Sequence, residues 1–231
     1  MSEILLTAPG LTTNLKNKFC KLYQLVYFCV VKVSVNMTKA EKTREFIIEK
    51  TAPIFNIKGY AGTSISDITA VTGLTKGSIY GNFANKDEVA LAAFDHNLKT
   101  VQHIIKQEMS RHDTVKAKLL SYVSVYNDYM KHSFPGGGCP ILNTAIEADD
   151  THPALRKKVC DAITAWKKSL VLLIKQGIDN GEFRKDTDPE HVALTLIALT
   201  EGGIMIRKVT GNQAYKKTIH NAIEHLVNSL S

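Results

Sequence analysis

The stretch Thr63 to Lys86, TSISDITAVTGLTKGSIYGNFANK, limits what this chain can fold into more than any other. Ser64 precedes Asp67 by three residues, the spacing of a capping box in which two side chains satisfy free amides at a helix start. Ile68 and Val71 give the helix that follows an apolar side. Gly73 suits its end, because glycine takes the left-handed backbone of a helix stop at no steric cost. Thr75 can cap a second short helix, from which Ile79, with Phe83 beyond it, faces back toward the first. Asn85 and Glu88 repeat the capping pattern and open a third helix. Two short helices across a tight glycine turn make a helix-turn-helix, and the second helix of such a unit enters a DNA major groove.

Bulk charge argues less strongly in the same direction. The chain has 231 residues and a net charge of +7. Residues 1–36 carry four Lys and one Glu, residues 37–99 eight basic and seven acidic groups, and residues 100–231 seventeen and fourteen. The segment that holds the motif is therefore nearly neutral. Contact with DNA has to rest on motif geometry and on the local placement of Lys76, Lys86 and helix N-termini.

Residues 1–36 contain LVYFCVVKV, which is too short to span a bilayer and is interrupted by Lys32. The stretch lacks the layout of a secretory signal. It reads as an extension, disordered or a misassigned translation start, because MTKAEKTREFIIEK from Met37 begins a new pattern. The alternative is a basic arm that touches the DNA backbone. An intact mass beginning near Met37 would exclude the arm. The four cysteines, Cys20, Cys29, Cys139 and Cys160, form neither a CxxC pair nor a zinc framework, which fits free thiols in a cytoplasmic protein.

The rest of the chain reads as helices. A first runs from about Lys39 to Ile57, with Pro53 inside it predicting a bend or an early boundary. From Lys86 a helix with a core-facing side continues to about Glu108 and joins two domains. Asp113 can cap the next, from Thr114 to His132. PGGG at 135–138 is a turn. Cys139 and Pro140 start ILNTAIEADD, and Thr151 and Pro153 open a long helix to about Gly177. Asp188 and Pro189 have the chemistry of an N-cap and a first helical position, and this helix ends near Val209. The last spans Gln213 to Leu230. The fold class is all-α, with an extension at 1–36, a three-helix DNA-binding domain at 37–86 and a larger effector-binding and dimerisation bundle at 87–231.

GYAGTSISDITAVTGLTKGSIYGNFANKDEV resembles the DNA-binding segment of the TetR family of bacterial transcriptional repressors. Gly59, Tyr60, Thr63, Asp67, Ile68, Gly73, Lys76, Gly77, Tyr80, Phe83 and Lys86 match the family pattern. Thr69, Thr72 and Asn82 depart from it. A second likeness lies in NGEFRKDTDPEHVALTLIALTEGG, where Gly181, Glu182, Asp188, Pro189, Glu201 and Gly202 fit. The resemblance implies a homodimer, joined through its C-terminal helices, that binds double-stranded DNA at a near-palindrome and responds to a small-molecule effector. The apolar run LTLIALTEGGIMI is independent support for an interface, or else marks a fully buried central helix. Gly202 and Gly203 would allow close helix contact.

The residues placed at DNA are Thr63, Ser64, Thr75, Lys76, Gly77, Ser78, Tyr80, Asn82 and Lys86. Tyr80 is expected to pack its ring while its hydroxyl reaches a phosphate. Tyr122, Tyr126, Tyr129, Cys139, Asn143, Trp166 and Met205 can line an effector pocket, with Asn143, Glu147 and His132 as polar anchors, although aromatics at helical spacing also make plain core. Cys139 at a helix N-terminus is a candidate redox or electrophile sensor, on condition that its thiol is exposed and its pKa depressed. No phosphate-cradling loop, nucleophile elbow or His-Glu-x-x-His run is present. The expectation is a ligand-responsive repressor with no catalytic residues, cofactor, metal or membrane partner. The alternatives are a non-repressor DNA-binding regulator and a helical enzyme.

Overall fold

The computed structural model describes residues 37–127 and 134–231, and all regular structure among them is helical. The extension at 1–36, Tyr129 and His132 lie outside the described residues. Helix α1 spans Lys39–Lys58, α2 Ile65–Thr72, α3 Lys76–Tyr80, α4 Lys86–Met109 and α5 Val115–Asn127. Helices α6 to α9 follow at Pro140–Ala148, Pro153–Asp179, Pro189–Thr210 and Gln213–Asn228.

α1 runs through Pro53 instead of ending there. Pro53 and Glu49 are both exposed, so the carbonyl left without an amide partner can take water. The opposite face buries Ile47, Ala52 and Phe55. These join Ile68 of α2, Ile79 of α3, Phe83 and Val89 in a small core of their own. Burying apolar surface of this kind contributes roughly 25 cal/mol per Å². It fixes α1, α2 and α3 as one unit.

α4 leaves that unit and packs against α5 in the larger bundle, where α8 packs on α7 and α9, and α9 also lies against α5. Its core runs from Phe94 and Val101 through Leu119, Leu170 and Ile174 to Leu196, Ile223 and Val227. Two N-termini differ from the sequence expectation. Thr114 rather than Asp113 accepts the amide of Ala117. Glu182, from the loop between α7 and α8, accepts the amides of Val115 and Lys116, each at 3.1 Å. Burial would push the Glu182 carboxyl up, but these amides hold it below its ordinary value. At α7 the cap is His152, whose Nδ1 accepts from the Leu155 amide, while Thr151 donates back to the Glu147 carbonyl.

Candidate nucleic-acid interface and candidate effector core

The start of α2 is built as its sequence asks. Ser64 Oγ accepts the Asp67 amide at 3.1 Å, and the Asp67 carboxylate accepts the Ser64 amide at 2.8 Å. A hydrogen bond from Lys58, followed by those from the amide and hydroxyl of Ser64, holds Asp67 well below the usual carboxylate range. Gly73 closes the helix at φ 67°. The residues that depart from the family pattern satisfy themselves locally: Thr72 donates to the Ile68 carbonyl and Thr69 to that of Ser66.

α3 is one turn and a half, capped by Thr75, whose hydroxyl accepts the Ser78 amide at 3.2 Å. Ile79 is fully buried beneath it. Thr75, Lys76 and Gly77 are exposed and Ser78 is half-buried. A side chain at Gly77 would meet only Thr75 Oγ1, at 3.8 Å. The protein's own packing does not require glycine there, so the space over α3 remains open to a partner. Tyr80 differs from expectation, because the residue is 48% exposed rather than packed.

Three of the residues placed at DNA are engaged inside the unit. Thr63 is fully buried and donates to the Gly59 carbonyl. Lys86 Nζ donates to the carbonyls of Tyr60 and Thr63, at 2.9 and 3.1 Å, and sits 4.0 Å from the centre of the Tyr60 ring. Asn82 donates to the Ser78 carbonyl. Ser64 is exposed beside its capping partner. The open face is therefore Thr75, Lys76, Gly77, Ser78 and Tyr80, while Thr63 and Lys86 brace the turn behind it.

Arg44, which no spacing singled out, completes the brace. Its guanidinium lies 3.9 Å from the centre of the Phe83 ring, donates to the Asn82 carbonyl and pairs with Glu88 at 2.6 Å. Glu88 is lowered first by the Ala84 amide and then by Arg44. Tyr60 donates to Asp87, and that hydrogen bond, more than burial, pushes its phenol up to about 12.

In the bundle, Tyr122, Tyr126, Cys139 and Trp166 come together in the buried core. The Tyr126 and Trp166 rings stack with centroids 5.7 Å apart, and Tyr122 lies 5.5 and 5.9 Å from them. Glu201 on α8, unassigned from the sequence beyond its fit to the motif, accepts from the Cys139 thiol at 2.9 Å. Burial raises the Glu201 carboxyl to about 7, and burial first, then the nearby carboxyl, push the thiol well above its ordinary value. Both conditions for a sensing thiolate at Cys139 therefore fail: the thiol is buried and its pKa is raised. Trp166 Nε1, Thr200 Oγ1 and Glu201 Oε2 are buried without a partner. Asn143 and Met205 lie apart from this cluster. Asn143 bonds Asn56 and Gly137, and Met205 is exposed. A separate cleft of about 240 Å³ lies between α6 and α7 beside Cys160 and Ile163, and holds none of the expected effector residues.

Residues 47–93 match a family model described as bacterial regulatory proteins, tetR family, and residues 115–223 one described as tetracyclin repressor-like, C-terminal domain. A TetR-family regulator from Cytophaga hutchinsonii of known structure is 52% identical, with a TM-score of 0.82 over 84% of this chain and 98% of its own. This chain belongs to the TetR family. It is thus a DNA-binding, helix-turn-helix regulator of transcription with the family's all-α architecture. A second TetR regulator, from Chloroflexus aurantiacus, is 38% identical with a TM-score of 0.77, over 83% of this chain and 96% of its own. The HTH-type transcriptional repressor DhaR of Mycobacterium sp. is 26% identical over 170 residues, 74% of this chain and 84% of its own. Among the described residues, no helix of this TetR regulator is long and apolar enough to cross a membrane, and no group of side chains could hold a metal ion.

Proposed function

We propose that this TetR-family regulator is a repressor that binds a near-palindromic operator as a homodimer and is released by an organic effector. The observation that carries the reading is the open face of α3. Its polar residues and an uncrowded glycine point away from a fully buried Ile79. Lys76 supplies a charge for a phosphate or a guanine, and Thr75, Ser78 and Tyr80 supply hydroxyls.

The dimer reading is supported by α8, which is apolar on two sides. Leu196, Ile197 and Ile204 are buried, while Leu194, Ala198, Met205 and Val209 form an exposed stripe. Gly202 lies in that stripe with open space above it, whereas Gly203 is closed by Ile219 of α9, 2.9 Å from where a side chain would begin. A twofold contact through this stripe would set two recognition helices toward successive major grooves. The aromatic cluster around Glu201, with buried polar atoms lacking partners, supports an effector site in the bundle. A ligand that favours a dimer with differently spaced recognition helices lowers operator affinity by shifting the population.

Selection from random duplexes followed by gel shift tests the reading. A palindromic site bound with strong salt dependence is the expected result. No enriched site at several salt concentrations would overturn it. A site whose occupation raises transcription would replace the repressor with an activator.

A further inference from the structure

The junction between the helix-turn-helix unit and the bundle is made by side chains that hold backbone. Beyond the end of α1, the amides of Tyr60 and Ala61 both donate to the Glu147 carboxylate of α6, each at 2.6 Å. Gly59 has φ +74°, a conformation that favours glycine, and a side chain there would start 2.4 Å from Glu147 Oε2 and push the carboxylate off these amides. One turn earlier, the buried Asn56 donates to the carbonyls of Gly136 and Gly138, at 2.6 and 2.9 Å. Asn143 of α6 donates to the Asn56 and Gly137 carbonyls, both at 3.0 Å. Lys208 of α8 donates to the Gly137 carbonyl at 2.7 Å and to Asn143 Oδ1 at 3.0 Å.

All three glycine carbonyls are thus engaged, by residues of α1, α6 and α8. A side chain at Gly137 would start 2.7 Å from the Asn56 carbonyl oxygen. The triglycine is a knuckle on which the last turn of α1 sits. The next residue, Cys139, is tied to Glu201 in the bundle core. Because α1 shares one core with α2, α3 and the start of α4, the seat of α1 is also part of the seat of the recognition helix.

We propose that Glu147 and the triglycine knuckle are a latch that fixes the presentation angle of the helix-turn-helix unit, and with it the half-site spacing that the dimer accepts. Glu147, Asn56 and Lys208 are positioning residues; none need touch DNA. The inference rests on the dimeric operator reading above. Glu147→Gln keeps the volume but offers one acceptor oxygen and an amino group that opposes the other amide. Lys208→Met removes the α8 bond from an exposed position, so it tests the latch even if the first variant folds poorly.

The experiment first selects the wild-type operator. It then measures gel-shift affinity for that duplex, for versions with the half-sites one base pair closer or further apart, and for a single half-site. For both variants, affinity for the native spacing should fall about tenfold, on the scale of one mismatched base pair. Their preference over the altered spacings should shrink, and single half-site affinity should stay within about twofold of wild type. An unchanged spacing profile overturns the latch whatever happens to affinity, and so does an equal loss on the single half-site. A wild type that enriches no paired half-sites overturns the dimeric operator reading, and the latch with it.

Discussion

The face of α3 and the core around Glu201 treat polar side chains in opposite ways. On α3, Thr75, Lys76 and Tyr80 stand in solvent above a packed apolar floor. Around Glu201, an acid, a thiol and an indole N–H are packed inside, with several polar atoms unpartnered. Exposed groups keep their hydration until a ligand replaces it, so removing one changes binding and leaves folding alone. Buried groups carry a desolvation cost in every folded molecule, so changing one alters stability first. The difference separates residues open to a partner from residues on which the stability of the bundle depends.

The sharpest break of that contrast is Ile79→Ala, directly beneath the recognition face. Ile79 is fully buried, and truncation should cost about 2–5 kcal/mol, so melting temperature and operator binding should fall together. An unchanged melting temperature would refute the packed floor.

Glu201→Gln tests the other region through pH. The Glu201 carboxyl is raised from 4.5 to about 7 in the fold. Between those values the folded protein keeps a proton that the unfolded chain releases. Stability therefore declines as pH rises through this window and levels off above it. At about 1.4 kcal/mol per pH unit, the decline is on the order of 3–4 kcal/mol. The glutamine variant should lack it, matching wild type near pH 5 and exceeding it near pH 8. Parallel urea-unfolding profiles for the two proteins would contradict the buried acid.

Lys76→Ala should weaken operator binding by about 1–2 kcal/mol and reduce the salt slope by about one, with stability changed by less than about 0.5 kcal/mol. Equal losses of binding and stability would remove Lys76 from the recognition face. The smallest effect concerns the thiols. Alkylation of the native protein at neutral pH should label the exposed Cys160 and spare the buried Cys139. Rapid labelling of Cys139, read by mass spectrometry, would reopen its role as a sensor.

The helix-turn-helix was legible because its determinants are close in sequence. Ser64 with Asp67, Thr75 with Ser78 and Asn85 with Glu88 each close within three residues. Spacing also located the buried aromatic set, since helical periodicity places Tyr122, Tyr126 and Trp166 on inward faces. It did not reveal which exposed-looking polar residues turn inward. Lys86 finds its carbonyl partners 23 and 26 residues away, Arg44 its glutamate 44 away, and Glu147 its amides 86 and 87 away. No local pattern encodes such pairs. Cys139 misled for a related reason. Its place at a helix start argues for a thiolate, but tertiary burial and the Glu201 carboxyl outweigh the local amides.

The remote cap on α5 has a consequence for synthesis. The amides of Val115 and Lys116 have their acceptor in Glu182, 67 and 66 residues further along. At a translation rate of about 5–20 residues per second, that acceptor arrives roughly 3–13 s after the helix it closes. The turn that follows α1 waits in the same way for Glu147, the acceptor of its Tyr60 and Ala61 amides. α2 and α3, whose caps lie within three residues, need no such wait. The recognition element is thus finished early on a chain whose seat for it is still being made, and arrest of translation between Lys86 and Glu147 should leave α2 and α3 helical but undocked.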